Sequence, residues 1–142
     1  MCSSSQKVMI VDDERAVVNG LRRLLGTRYD LRTAQSGPEA LAALETEGPF
    51  ALVVTDMMMP KMSGLRLIRQ ARELAPQTVY IMLTGNQDRE TADRARDEGR
   101  VFRFLRKPCE NATLIEAIEA GLQEYASRMA PTESKSAPSA PT

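Results

Sequence analysis

The sequence predicts an α/β fold in which five parallel strands alternate with five helices. Short, unbroken apolar runs recur along the chain, as expected for strands that are buried on both faces. Between these runs, apolar residues recur every three or four positions, which is the spacing of an amphipathic helix. Because the two patterns alternate, we expect a parallel sheet covered by helices on both sides and joined by right-handed crossovers.

The predicted strands are five short segments, most of them rich in apolar residues. They are Val8–Val11, residues 30–34, Ala51–Thr55, Val79–Leu83 and Val101–Leu105. The second of these has the weakest apolar pattern. The first and third end directly at aspartates, which places acidic side chains at the carboxyl ends of two buried strands.

The first two predicted helices have clear boundary signals. The first has apolar residues at positions 17, 18, 21, 24 and 25, all on one helical face, and ends at Gly26. The second begins at Gly37-Pro38-Glu39, because proline is favoured in the first turn of a helix. It ends at Gly48-Pro49.

The remaining three helices differ in character. Ser63 can cap the third, and Pro76 stops it. The fourth, near residues 88–98, is strongly polar and buries little apolar surface. The last is amphipathic, with apolar residues from Leu114 to Tyr125.

The composition is that of one globular domain with short tails. The chain has 142 residues, of which 42% are hydrophobic and 27% charged. We expect a disordered N-terminus over residues 1–6 and a folded domain over residues 7–128. Residues 129–142 are rich in alanine, proline, serine and threonine, so we expect a disordered tail or linker there.

Several classes of function are disfavoured by the composition. A formal net charge of zero gives no sign of direct binding to nucleic acid or to a membrane surface, and no apolar run is long enough to span a membrane. Because the chain contains no histidine, it has no Ser-His-Asp triad and lacks the ligands of most zinc sites. Cys2 and Cys109 do not suggest a disulfide framework, and a reducing cytoplasm is the expected location.

Polar side chains follow four of the predicted strands at the edge where ligands bind in open parallel sheets. Asp12 and Asp13 follow the first strand, Asp56 the third, Thr84 the fourth and Lys107 the fifth. Three carboxylates in one crevice repel each other, and a hard divalent cation such as Mg²⁺ relieves that repulsion. An acidic residue at a strand end is often only a helix cap, but all of these positions fall on the same edge.

Four motifs at these positions resemble the receiver domains of two-component response regulators, the CheY-like superfamily. They are Val11-Asp12-Asp13-Glu14, the run from Asp56 to Gly64 (Asp-Met-Met-Met-Pro-Lys-Met-Ser-Gly), Leu83-Thr84-Gly85 and Lys107-Pro108. The resemblance covers about residues 6–127. It implies a flavodoxin-like, doubly wound (βα)₅ fold with strand order 2-1-3-4-5.

The resemblance also implies a role for each site residue. Asp56 is the expected phosphoacceptor, and Mg²⁺ is expected on Asp12, Asp13, Asp56 and the backbone carbonyl of Met58. Thr84 would bind the phosphoryl oxygens and act as a switch residue.

Two further site features follow from the same resemblance. Lys107 would pair with the phosphate, and its bond to Pro108 is expected to be cis. Phe104 matches the aromatic switch position. Because Gly99 lies one residue further upstream than is usual in the family, Phe102 stays open as an alternative.

The implied partners are a sensor histidine kinase or phosphotransfer protein and a downstream target. Phosphorylation would switch the surface of the fourth helix, fifth strand and fifth helix, which is also where the resemblance places a homodimer contact. The run from Gly99 to Phe104 resembles receivers joined to HD-type phosphodiesterase domains in longer chains. On this hypothesis the chain is a phosphorylated switch and not an enzyme, beyond its own phosphorylation and dephosphorylation.

Two alternatives stay open at this point. The first is an Mg²⁺-dependent phosphatase that forms an aspartyl phosphate, although Met58 stands where such enzymes place a second acid. The second is a pseudo-receiver that serves only as an interaction module. A DNA-binding regulator is not supported, because nothing after the last helix predicts a helix-turn-helix.

Overall fold

A computed structural model describes residues 6–57, 59, 61–84, 101–106 and 110–129. Within this part of the chain, five parallel strands form one sheet. They are β1 (Lys7–Val11), β2 (Asp30–Ala34), β3 (Leu52–Asp56), β4 (Val79–Thr84) and β5 (Arg103–Arg106). The strand order is β2-β1-β3-β4-β5, which confirms the predicted doubly wound fold.

Four helices are described, and all four were predicted. They are α1 (Arg15–Leu25), α2 (Gly37–Glu47), α3 (Gly64–Leu74) and α4 (Asn111–Arg128). The helix predicted near residues 88–98 lies outside the described residues, so α4 is the last helix of the sequence prediction. None of the described helices combines the length and apolar character that a membrane span needs.

The order of the strands reverses between β1 and β3, and this reversal positions the site. From β1 the chain crosses to β2 on one side and then returns to β3 on the other. Val11 of β1 lies beside Thr55 of β3, so the residues that follow each of them, Asp12 and Asp56, emerge next to one another. In doubly wound sheets this reversal opens a crevice at the carboxyl ends of the strands.

Each face of the sheet has its own hydrophobic core, because successive side chains of a strand point to opposite faces. One core packs against α2 and α3, and its central strand residues are Met9, Val11, Val53, Tyr80 and Met82. The other includes residues of α1 and α4, and its strand residues include Val8, Ile10, Val54, Ile81 and Leu83. Burial on both faces explains why β1, β3 and β4 appear as continuous apolar runs in the sequence.

Serine side chains begin two of the helices. The Oγ atom of Ser63 accepts a hydrogen bond from the N–H of Arg66 at 3.2 Å, which confirms the predicted cap of α3. Ser36 caps α2 in the same way, accepting from the N–H of Glu39 at 3.2 Å. Both caps fix helices that start at the edge of the sheet where the aspartates lie.

The fifth strand begins later than the sequence predicts. Val101 and Phe102 precede β5, which starts at Arg103. The N–H of Phe102 still donates to the carbonyl oxygen of Tyr80 at 2.7 Å, so the chain approaches β4 before regular pairing begins. Apolar character alone does not distinguish such a lead-in residue from the strand itself.

Two features hold the C-terminal helix α4 close to the sheet, one at its last residue and one within the helix. The guanidinium of Arg128 donates from one nitrogen to the carbonyl oxygens of Gln77 and Thr78, each at 3.2 Å. A Cβ atom at Gly121 would lie 2.8 Å from Cδ1 of Leu52, so glycine permits this close approach. The end of α4 is therefore anchored to the loop that precedes β4.

A buried hydroxyl links that same loop to the start of β3. Thr78 is 3% exposed, and its Oγ1 donates to the carbonyl oxygen of the fully buried Phe50 at 2.7 Å. If the Thr78 hydroxyl is removed, the carbonyl oxygen of Phe50 stays buried with neither this hydrogen bond nor water to replace it.

Replacement of this hydroxyl should therefore destabilise the domain. We expect Thr78→Val, which keeps the side-chain shape, to lower the free energy of unfolding by about 1–3 kcal/mol in urea denaturation. Thr78→Ser is the matched control, because it keeps the donor, and it should lose less. A valine variant as stable as the native protein would contradict this role of the hydrogen bond.

Candidate functional site

Three aspartates meet at the carboxyl edge of the sheet. One carboxylate oxygen from each of Asp12, Asp13 and Asp56 lies within 4.8 Å of the other two. Asp12 is fully buried and Asp56 is 7% exposed, whereas Asp13 is more open to solvent. The structure thus brings together the three acidic residues that the sequence places at the ends of β1 and β3.

Asp12 is fixed by its own backbone and by the turn into α1. Its N–H donates to the carbonyl oxygen of Ala34 at 3.1 Å, which extends the pairing between β1 and β2 by one residue. Its Oδ1 accepts a hydrogen bond from the N–H of Glu14 at 2.9 Å. Because one carboxylate oxygen is held in this way, the orientation of the buried group is set by the local chain.

Asp56 is the last residue of β3, in the centre of the sheet. It lies beside Leu83 of β4, and the N–H of Met57 donates to the carbonyl oxygen of Leu83 at 3.0 Å. The hydroxyl of Thr55 donates to the carbonyl oxygen of Asp56 at 3.0 Å. The backbone around Asp56 is therefore held on both sides.

Gly64 allows the first turn of α3 to lie against the backbone of Asp56. In the sequence, this glycine is noticeable only as the last residue of the motif that begins at Asp56. Its N–H donates to the carbonyl oxygen of Met57 at 2.8 Å. A Cβ atom at this position would lie 2.3 Å from the carbonyl oxygen of Asp56 and 3.0 Å from Cα of Met57. Since these are backbone atoms, no side-chain rotation could relieve the clash. The first turn of α3 packs directly against the residue that bears the central carboxylate.

The donor set of this cluster suits a hard divalent cation. Its ligand atoms are carboxylate oxygens, and two of the three groups are buried where charges are poorly screened. Mg²⁺ prefers oxygen ligands and is bound in proteins by one or two carboxylates together with water and phosphate oxygens. The three aspartates therefore fit such an ion.

The other predicted site residues are only partly described. Thr84 ends β4 and pairs with Arg106 of β5, so its backbone lies on the same edge of the sheet as Asp56. Lys107 and Pro108, with the expected cis bond between them, lie outside the described residues, as does the carbonyl of Met58.

The two candidate aromatic switch residues pack on opposite sides of the sheet. Phe104 lies in β5 beside Met82 and packs against the core of α2 and α3. Phe102, which precedes the strand, packs against the core that includes α4. Of the two phenylalanines, Phe104 is thus the one that lies within β5 and pairs with a residue of β4.

Comparison with known protein families matches residues 8–119 to the response regulator receiver domain. This span contains the acidic cluster, Thr84 and Lys107, and it is more than half of the chain. The chain belongs to the response regulator receiver domain family. The resemblance drawn from the sequence motifs is therefore confirmed.

Curated relatives of this receiver are considerably longer proteins. The response regulator protein PilR of Pseudomonas aeruginosa is 38% identical over 121 residues, which is 84% of this chain and 27% of PilR. The chain spans about a quarter to a third of the length of the first curated relatives it matches.

Solved structures confirm the receiver fold. A structure titled adenylate cyclase from Rhodopirellula baltica has a TM-score of 0.84 and 41% identity, covering 97% of this chain and 99% of that one. The signal receiver domain of an HD domain-containing protein from Pseudomonas fluorescens Pf-5 has a TM-score of 0.81 and 28% identity. That match covers 86% of this chain and 98% of the other.

The close contact at Gly64 predicts that even a single added methyl group at this position destabilises the domain. Gly64→Ala should force the start of α3 away from Asp56 and lower the free energy of unfolding by about 1–3 kcal/mol, as overpacking does elsewhere. Urea denaturation measures this loss directly.

Gly20→Ala in the middle of α1 is the matched control. A Cβ atom at Gly20 meets nothing within 4 Å. Because alanine is the better helix former by about 1 kcal/mol, this variant should be at least as stable as the native domain. Equal free energies of unfolding for the two alanine variants would mean that α3 can move away from Asp56 at little cost.

Proposed function

We propose that this receiver domain is a switch that accepts a phosphoryl group on Asp56 from the phosphohistidine of a sensor histidine kinase or phosphotransfer protein. The observation that supports this most strongly is the meeting of three carboxylate oxygens within 4.8 Å at the end of the central strand. The chain contains no histidine of its own, so the donor is expected on another protein.

Asp56 is the nucleophile in this proposal. A carboxylate oxygen of Asp56 attacks the phosphorus atom, a P–O bond forms, and the P–N bond to the donor histidine breaks. The electron pair of that bond leaves with the imidazole. An ionised carboxylate needs no general base for this attack. The backbone contacts of Thr55, Met57 and Gly64 hold the nucleophile in place, which lowers the cost of orienting it.

Asp12, Asp13 and Asp56, with the backbone carbonyl of Met58, would hold Mg²⁺. When bound, this ion supplies positive charge that offsets the charge of the phosphoryl oxygens. The Lys107 ammonium is expected to pair with the phosphoryl group, and the hydroxyl of Thr84 to donate to one of its oxygens.

The switch would run from β4 to β5. When Thr84 moves toward the phosphoryl group, the neighbouring strand is the first element to respond, because Thr84 pairs with Arg106 and Met82 with Phe104. Phe104 is thus the better switch candidate, and Phe102 the weaker one. The affected surface comprises the segment predicted as a helix over 88–98, β5 and α4, where a partner, an output domain or a second copy would bind.

The output is proposed to lie outside this chain. The relatives include proteins named as transcriptional regulators, a neighbour from an HD domain-containing protein and one titled adenylate cyclase. A receiver with residues 7–128 as its folded unit and 129–142 as a linker suits each of these arrangements. An HD-type phosphodiesterase domain in a longer parent chain is the output that the sequence motif favours, with the cytoplasm as the expected location.

Intact mass spectrometry after incubation with acetyl phosphate tests the phosphoacceptor. We expect one phosphoryl adduct on the native chain in the presence of Mg²⁺, and none in EDTA or on Asp56→Asn. Asp30→Asn, at the exposed start of β2, is the matched control and should be labelled like the native chain.

Other outcomes would favour the alternatives. Absence of any adduct under conditions that label an established receiver would favour a pseudo-receiver. Continuous release of phosphate at many turnovers per minute, without an accumulating adduct, would favour an aspartyl-phosphate phosphatase. An adduct that persists on Asp56→Asn would mean that another residue is the acceptor.

A further inference from the structure

A crevice of about 350 Å³ adjoins the acidic cluster. Its lining consists of Asp13, Gln35, Ser36, Glu39, Met59 and Lys61. These residues come from the segments that follow β1, β2 and β3, so the crevice opens at the same edge of the sheet as Asp56. Asp13 belongs to both the crevice and the carboxylate cluster, so the two features adjoin at this residue.

The side chains of Glu39 and Ser36 are already engaged by the protein. One carboxylate oxygen of Glu39 accepts from the N–H of Gln35 at 3.0 Å, and the other lies 3.4 Å from Arg32. The hydroxyl oxygen of Ser36 accepts from the N–H of Glu39. A carboxylate oxygen of Asp13 lies within 4.8 Å of those of Asp12 and Asp56. Glu39 is therefore paired, and the Ser36 oxygen is occupied as an acceptor while its O–H can still donate.

Lys61 differs from these neighbours. Its side chain is exposed, and it makes no hydrogen bond or ion pair with any residue that the structure describes. The other nearby cation, Arg32, is held by Glu39 and Glu47. Among the described lining residues, Lys61 is thus the cation, and the neutral donors beside it are the Gln35 amide and the Ser36 hydroxyl. Half-buried Met59 adds an apolar wall beside it.

We propose that this crevice receives the leaving group of small acyl phosphate donors, and that Lys61 determines specificity for them by binding the carboxylate that departs. The proposal rests on the proposed function of Asp56. A carboxylate on a short apolar group matches the ammonium of Lys61 and the thioether of Met59. The two carboxylates of the wall are offset, Glu39 by Arg32 and Asp13 by the Mg²⁺ proposed at the cluster. The Coulomb attraction is stronger in the transition state than in the ground state, because negative charge develops on the leaving oxygen as the P–O bond breaks.

The step is balanced without any further reactant. An oxygen of Asp56 attacks the phosphorus atom of acetyl phosphate and forms the new P–O bond. The P–O bond to the acetyl group breaks, and its electron pair leaves with acetate, which needs no proton at neutral pH. Phosphoramidate provides the comparison, because its P–N bond breaks and its leaving group departs as neutral ammonia, which Lys61 does not attract.

The test compares both donors on the same set of variants. Second-order rate constants for adduct formation are measured by intact mass for native protein, Lys61→Ala and Lys61→Arg, in saturating Mg²⁺. Arg23→Ala, in the last turn of α1 at the opposite edge of the sheet, removes an equal charge and is the control.

We expect Lys61→Ala to slow the reaction with acetyl phosphate about fivefold, the size of effect that an exposed ion pair supplies. The reaction with phosphoramidate should change less than about twofold, Lys61→Arg should restore most of the rate, and Arg23→Ala should leave both rates unchanged.

Equal slowing of both donors, or of neither, on Lys61→Ala would overturn the leaving-group role while leaving Asp56 as the acceptor. An equal effect from Arg23→Ala would show that net charge, and not this crevice, is responsible. Failure of the native chain to react with either donor would overturn the proposed function as well.

Discussion

Three carboxylates that repel one another share one edge of the sheet, and the fold around β1 and β3 is organised to hold them there. Asp12 and Asp56 are buried, and Asp13 lies within 4.8 Å of both. Buried charges of one sign are costly because little solvent is available to screen them. Many features of the fold around β1 and β3 serve to hold these groups together despite that cost.

The sheet order and the backbone contacts provide this restraint. The reversal between β1 and β3 places Asp12 beside Asp56, and two packed cores prevent the strands from separating. Gly64 allows α3 to begin in direct contact with the backbone of Asp56. A site that keeps like charges close in the absence of a ligand gains binding energy when a cation arrives, because the protein has already borne the cost of bringing them together.

Much of this could be predicted from the sequence, for identifiable reasons. The strands β1, β3 and β4 are buried on both faces, so their apolar runs are unbroken, and the residue after each run necessarily falls on one edge. Ser63 was predictable as a cap because the physical preference at that position is strong. The sequence pattern predicts the start of β5 two residues too early, because Val101 and Phe102 are apolar but precede the regular strand.

Other features depend on distances that no local pattern encodes. The need for glycine at position 64 arises from contact with Asp56, eight residues away, and is invisible to periodicity. Lys61 has no distinguishing pattern in the sequence either. Its proposed role follows from the structure, where Arg32 is paired with Glu39 and the exposed Lys61 lines the crevice.

The decisive measurement on the carboxylate cluster is the free energy of unfolding with and without Mg²⁺, compared between native protein and Asp13→Asn. In EDTA we expect the variant to be at least as stable as the native domain, since one repelling charge has been removed. With Mg²⁺ at one hundred times its dissociation constant, the native domain should gain about 2.7 kcal/mol, and the variant clearly less at the same concentration. An equal gain in both proteins, or none in either, would mean that these aspartates do not form a cation site.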